Sequence, residues 1–194
     1  AVVGSTGSGK SHSLAKIIQK AIEAKSSGYS GLNNSHIVIF DIHSEYKSAF
    51  PGKLSNIIDV ADLILPYWLL SSEELEDLFI ESNEEQSHNQ VAILKKTITE
   101  NKQQHFSGDA ATRAKIHYDS PVFFDTGEVL NVVRAKNEEM VPGKAGEKQG
   151  PLFGKLNNFI TRLENKVNDK RLDFLLGEGV KKVSPEDVLR QFIS

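Results

Sequence analysis

Residues 4–11 read GSTGSGKS, and the glycines, the lysine and the closing serine match G-x-x-x-x-G-K-S/T in full. Glycines at 4, 7 and 9 let the backbone wrap closely round a phosphate. Successive N–H groups then point inward, at a helix N-terminus that carries partial positive charge. From this position Lys10 reaches the β- and γ-phosphates of a triphosphate, and Ser11 offers its hydroxyl to Mg²⁺. The motif therefore assigns a nucleoside triphosphate and Mg²⁺ to Thr6, Gly7, Ser8, Gly9, Lys10, Ser11 and His12, with the metal at Ser11 and Lys10 a candidate for the reaction, which the motif alone leaves open.

Downstream of the loop, Leu14, Ile17, Ile18, Ala21 and Ile22 recur at helical spacing and predict an amphipathic helix over about 11–25. The turn-rich SSGYSGLNNS leads into HIVIFD (36–41), an apolar run of the kind found in a strand covered on both faces. Strand, loop, helix and strand form a βαβ unit, which implies a parallel sheet with a right-handed crossover. Only Ala1, Val2 and Val3 precede the loop, and the chain does not begin with Met. A P-loop normally follows a full buried strand, so the start of the protein is expected upstream of this segment.

The rest reads as mainly helical. NIIDVADLIL (56–65) allows one or two short strands. SSEELEDLFIE takes Ser72 as its N-cap, with acidic residues in the first turn where the helix dipole favours them. NQVAILKKTITENKQ (89–103) is a helix, and EEMVPGKAG with GEKQG (138–150) a polar, mobile segment. Phe153, Leu156, Phe159, Ile160, Leu163 and Val167 mark another helix. In SPEDVLRQFI, Ser184 caps, Pro185 takes the first position and Asp187 completes a capping box.

Composition bounds the function. With 39% hydrophobic and 25% charged residues, the 194-residue chain suits one globular domain. Its 23 basic against 26 acidic residues leave a net charge of −3, so generic attraction to nucleic acid is not supported. Any DNA contact must come from a local patch among Lys95, Lys96, Lys102, Arg113, Lys115, Arg134, Lys136, Lys144 and Lys148. Absence of cysteine fits a reducing cytoplasm, and neither a membrane span nor a signal peptide is visible. The six histidines are dispersed without metal-ligand spacing.

P-loop hydrolases also need a carboxylate at the end of another strand, to serve the metal or orient the attacking water. Asp41 and Glu45, in HIVIFDIHSEY, stand where the carboxyl end of a strand faces a ligand. A strand-end turn satisfied by Asp41 and Ser44 is the plainer alternative. The second candidate, Asp125 in PVFFDTGE, is followed by a helical pattern and reads better as an N-cap than as a catalytic acid. LPYWLL, with the only tryptophan, reads as core before a docking patch. The acidic run from Ser71 reads as a solvated helix face. Arg162 and Arg171 read as salt-bridge partners before arginine fingers.

In order along the chain, GSTGSGKSHSLAKIIQ, HIVIFDIHSEYKSAF, LPYWLLSSEELEDLF and NKVNDKRLDFLL resemble segments of the HerA/FtsK group of P-loop ATPases, HerA in particular. The resemblance covers roughly 1–80 and 115–194. It implies an α/β fold, a RecA-like P-loop NTPase core with a parallel central sheet, incomplete here and carrying a helical elaboration at about 72–170. It also implies an ATPase with Lys10, Asp41 and Glu45 in the catalytic set. Its partners would be a homo-hexameric ring, double-stranded DNA through the pore, and a NurA-like nuclease or an NAD-consuming or nuclease effector of an anti-phage system, with no membrane. The family's hydrolytic acidic strand, arginine finger and N-terminal barrel are expected outside this chain. Ser44 stands where the family often has Gly, and Leu172 replaces the usual Tyr. A nucleotide-binding scaffold without translocation, and less so a small-molecule kinase, remain the alternatives. A kinase would want an arginine-rich lid that the sequence lacks.

Overall fold

The computed structural model describes residues 5, 7–24, 37–50, 55–144 and 146–193. These fall into two compact units, one within 1–59 and 189–194, the other over 60–188. Among the described residues no helix is long and apolar enough to cross a membrane.

The first unit is built on helix α1 (Lys10–Glu23), which starts one residue before the expected range and stops at Ala24 in extended backbone. Only Ala15 of this helix is buried, and Ile17 is 60% exposed. Residues 37–41 do not form the expected strand ladder. Val38, Phe40 and Ile42 stand 60%, 86% and 87% exposed. The physical reason is that a parallel strand takes its hydrogen bonds from neighbours on both sides and its cover from helices. Residues 37–41 have neither among the described residues, and the strand expected at 1–3 lies outside them. Residues 56–65 are likewise irregular rather than stranded. The ends of this unit are held by polar contacts, with Lys47 Nζ at 2.9 Å from Asp59 and Asn56 Nδ2 donating to the Gln191 carbonyl at 2.7 Å.

The second unit contains α2 (Ser72–Phe79), α3 (Ser87–His105), α4 (Ala110–Arg113) and α5 (Thr126–Asn137). An antiparallel hairpin, β1 (Met140–Gly143) and β2 (Gly146–Gln149), comes next, and then α6 (Asn157–Val167) and α7 (Asp173–Leu176); α8 (Pro185–Ile193) begins here. The hairpin is the only sheet among the described residues. It replaces the mobile segment expected there, because Gly146, at φ 126°, closes a turn that sets Met140 opposite Gln149. The N-cap of α2 is Ser71, not Ser72. Only Ser71 lies three residues before Glu74, so that each side chain meets the other's backbone N–H. The box at Ser184 and Asp187 closes as the sequence indicates.

LPYW supplies the centre of this unit's core. Tyr67 and Trp68 are buried beside Leu75, Phe79, Leu94, Ile98, Phe124, Val133, Phe159 and Leu163. Full burial of each such side chain contributes roughly 1.5–3 kcal/mol. Tyr67 Oη donates to the Phe124 carbonyl at 2.6 Å, Trp68 Nε1 to the Val180 carbonyl at 3.3 Å, and the Leu65 N–H to the Phe174 carbonyl at 2.9 Å. LPYWLL, PVFFD and DFLL thus meet in one core, separated though they are in sequence.

Helix α3 buries Gln90, Ile93, Leu94, Thr97, Ile98, Asn101 and Lys102, a stripe at strict three-and-four spacing. Of its polar members Gln90, Asn101 and Lys102 are satisfied across the helix packing, whereas the buried Thr97 hydroxyl has no hydrogen-bond partner among the described residues. Gln90 Nε2 donates to Glu84 at 2.6 Å, and Asn101 Oδ1 accepts the Asp125 N–H at 2.8 Å. Lys102, expected among the surface bases, is wholly buried. Its ammonium donates to the carbonyls of Tyr118 at 2.5 Å and Ser120 at 2.7 Å and lies 5.5 Å from the centre of the Phe124 ring.

Candidate nucleotide site

The loop is shaped by backbone conformation rather than by crowding. Gly7 and Gly9 both sit at φ 80°, where L side chains are strained, and a Cβ on either would meet nothing within 4 Å. The Ser8 N–H closes a turn on the Ser5 carbonyl at 3.2 Å, and the Ser13 N–H makes an early helical bond to Gly9 at 2.9 Å. Gly9 offers no side chain to cap α1, which leaves the first-turn N–H groups to a ligand or to water. Lys10 Nζ bends back to the Ser5 carbonyl at 2.5 Å and joins no ion pair among the described residues. Gly4 and Thr6 lie outside the described residues.

Across from the loop, residues 41–46 form a tight turn. Asp41 accepts the N–H of Glu45 on one carboxylate oxygen and the N–H of Tyr46 on the other, each at 2.9 Å. These bonds, the Tyr46 N–H foremost, hold the Asp41 carboxyl below the usual range. Ser44 takes φ 55°, the left-handed conformation that suits glycine. The serine thus makes, at some backbone cost, a turn that a glycine would make freely.

This turn presents Glu45 to the loop. Ser11 Oγ donates to the Glu45 carboxylate across 34 residues of sequence. A further bond, from Gln19 Nε2 to the Ala49 carbonyl at 2.6 Å, ties α1 to the end of the same segment. Between them lies a groove of about 320 Å³ lined by Ser11, His12, Lys16, Gln19, Glu45 and Ser48, among others. Ser11, Ala15 and Gln19 are spaced by four on α1, so their groove-facing stripe is a signal that the sequence itself carries. His12 is exposed at the rim.

Asp125 caps α5, accepting the N–H groups of Gly127 at 2.8 Å and Glu128 at 3.0 Å, and pairs with Lys181 at 3.2 Å. Burial pushes its carboxyl up, but the Glu128 N–H and Lys181 outweigh it and hold it below the usual range. Arg162 is mostly buried, bonded to the Phe79 carbonyl at 3.2 Å and paired with Glu81 and Glu84. Arg171 is exposed and clamps Asp169, whose carboxyl it lowers to about 2. A more open groove, lined by Glu81, Arg162, Lys166, Asp169 and Arg171, belongs wholly to the helical unit. Arg134 and Lys136 are paired with Glu164 and Glu139.

A glycine loop of left-handed residues, a lysine over it, a hydroxyl at the first turn of a helix and a carboxylate set on that hydroxyl are the parts of a P-loop NTPase. The family described as "Helicase HerA, central domain" matches residues 1–185, and the chain belongs to it. Membership makes this an ATPase domain of the HerA/FtsK type. No curated protein matches the chain.

Proposed function

We propose that this protein is the ATP-hydrolysing subunit of a ring-shaped, hexameric translocase of double-stranded DNA, acting in the cytoplasm with a NurA-like nuclease or an NAD-consuming or nuclease effector. The observation that carries the chemical part is the contact of Ser11, from the loop, with Glu45, from the turn after residue 41, in a chain whose residues 1–185 match the HerA central domain. Ring, DNA and effector rest on the kinship with a family described as a helicase.

In this reading Thr6 to His12 hold the triphosphate. The positive-φ glycines let the backbone N–H groups face it, and Lys10 swings from the Ser5 carbonyl to its terminal oxygens. Ser11 and Glu45 are hard oxygen donors of the kind Mg²⁺ prefers, so the residues fit the metal. Held by Ser11 and Glu45, Mg²⁺ would supply positive charge to the phosphate oxygens. Asp41 keeps the Glu45 turn in place through its two backbone bonds. An arginine from a neighbouring subunit completes the site.

The test is ATPase activity measured with and without double-stranded DNA, alongside mass in solution. A ring of about six subunits with DNA-stimulated hydrolysis supports the proposal. A stable monomer that passes phosphate to a metabolite contradicts it. A ring indifferent to DNA reduces it to a scaffold.

A further inference from the structure

We infer that Glu45 faces the metal rather than the attacking water, and that Asp41 is a positioning residue that acts through it. The inference rests on the reading of the loop as an ATP–Mg²⁺ site and decides between the two tasks open to a second carboxylate there.

The attacking water must lie in line with the bond that breaks, on the side of the γ-phosphate away from the β-phosphate. The cation held by a P-loop serine instead bridges β- and γ-oxygens on the loop side. Glu45 is in hydrogen-bond contact with the serine hydroxyl itself. Neighbouring oxygens around an octahedral Mg²⁺, at 2.0–2.1 Å from the ion, lie about 3 Å apart, which is also the spacing of a hydrogen-bonded pair. Two oxygens already in contact can therefore serve one cation, directly or with one of them through a bound water, after only a small shift.

The turn has the build of a positioning device. Glu45 is exposed and joins no ion pair among the described residues, so its backbone and the Ser11 hydroxyl fix where it points. That backbone is held at Glu45 and at Tyr46 by the two oxygens of Asp41, and is turned by the left-handed Ser44. Asp41 itself spends both oxygens on N–H groups, which suits a brace better than a ligand. Gln19, bonded to the Ala49 carbonyl, keeps the same segment against α1.

The experiment uses a non-hydrolysable ATP analogue, with Mn²⁺ standing in for Mg²⁺ and free Mn²⁺ read by electron paramagnetic resonance. Analogue binding is measured separately in EDTA. Glu45→Gln is expected to weaken Mn²⁺ binding to the protein–analogue complex about tenfold or more, while binding in EDTA stays within about twofold. Glu45→Asp, one methylene shorter, should fall between. Asp41→Asn retains one acceptor and should weaken Mn²⁺ by a smaller factor, about threefold, again without changing binding in EDTA. Unchanged Mn²⁺ affinity in both Glu45 variants, with the wild type binding the analogue normally, overturns the inference and leaves the ATP site standing. A wild type that binds no analogue under either condition overturns both.

Discussion

Lys102 offers a quantitative test of the packing, because a wholly buried ammonium must register in the pH dependence of stability. Burial pushes its pKa from the ordinary 10.5 down to about 8, with Asp119 opposing. The folded chain then releases a proton near pH 8 that the unfolded chain keeps until near 10.5. Below pH 8 both states are protonated and the cost of burying the charge is carried in full. Between pH 8 and 10.5 the unfolded state binds more protons, so stability rises with pH. Linkage puts the gain at about 2 kcal/mol between pH 7 and 9.5. Lys102→Met removes the titrating group. It also strips the Tyr118 and Ser120 carbonyls of their donor, at about 1–3 kcal/mol for the buried one. Losing the ammonium's desolvation offsets this, so at pH 7 the variant should lie close to wild type. The two should then diverge as pH rises, wild type becoming the more stable. Tyr67 and Tyr118, both pushed upward by burial, lower stability above about pH 10, but they do so in both proteins and cancel in the difference. Urea unfolding of the two proteins at several pH values between 7 and 9.5 gives the difference directly. A difference that does not change with pH would refute the reasoning, since Lys102 would then titrate as it does in water.

Two further substitutions separate structural polar groups from catalytic ones. Arg162→Ala removes the guanidinium from Glu81, Glu84 and the Phe79 carbonyl and should cost about 2–4 kcal/mol in urea unfolding; a loss below about 0.5 kcal/mol would show the network to be idle. Asp125→Ala deletes the α5 cap and the Lys181 pair and should cost about 1–2 kcal/mol while ATP binding in EDTA is retained. Loss of hydrolysis without loss of stability would instead return Asp125 to the catalytic candidates.

Legibility along the chain followed how local the deciding interaction was. The α1 helix, the Asp125 cap and the Ser184–Asp187 box each rest on contacts within four residues, and spacing alone exposed them. At the start of α2 two serines adjoin, and only reach to Glu74 makes Ser71 the cap instead of Ser72. At 140–149 the polar composition points to a mobile segment, whereas the hairpin turn is set by backbone conformation at Gly146. The strand expected at 36–41 depends on neighbours that no local pattern supplies. Lys102 could not be told from the surface bases, since its burial comes from residues 16 or more positions away, whereas Arg162, expected to form salt bridges, does so with Glu81 and Glu84. In the candidate site, the loop residues were legible as a motif. That Glu45 reaches Ser11, and that Asp41 serves the turn, needed the fold of residues 41–46 onto α1.

In the proposed function, the loop at 4–11 binds ATP and hydrolyses it with the help of Lys10. The most direct measurement is ATP binding and steady-state hydrolysis by the wild-type protein and by Lys10→Ala, side by side. The lysine reaches no other charged group among the described residues, so its loss should leave the fold intact. The account predicts hydrolysis by the wild type, with most binding affinity and all turnover lost in the variant. Equal ATPase activity in the two proteins would contradict it.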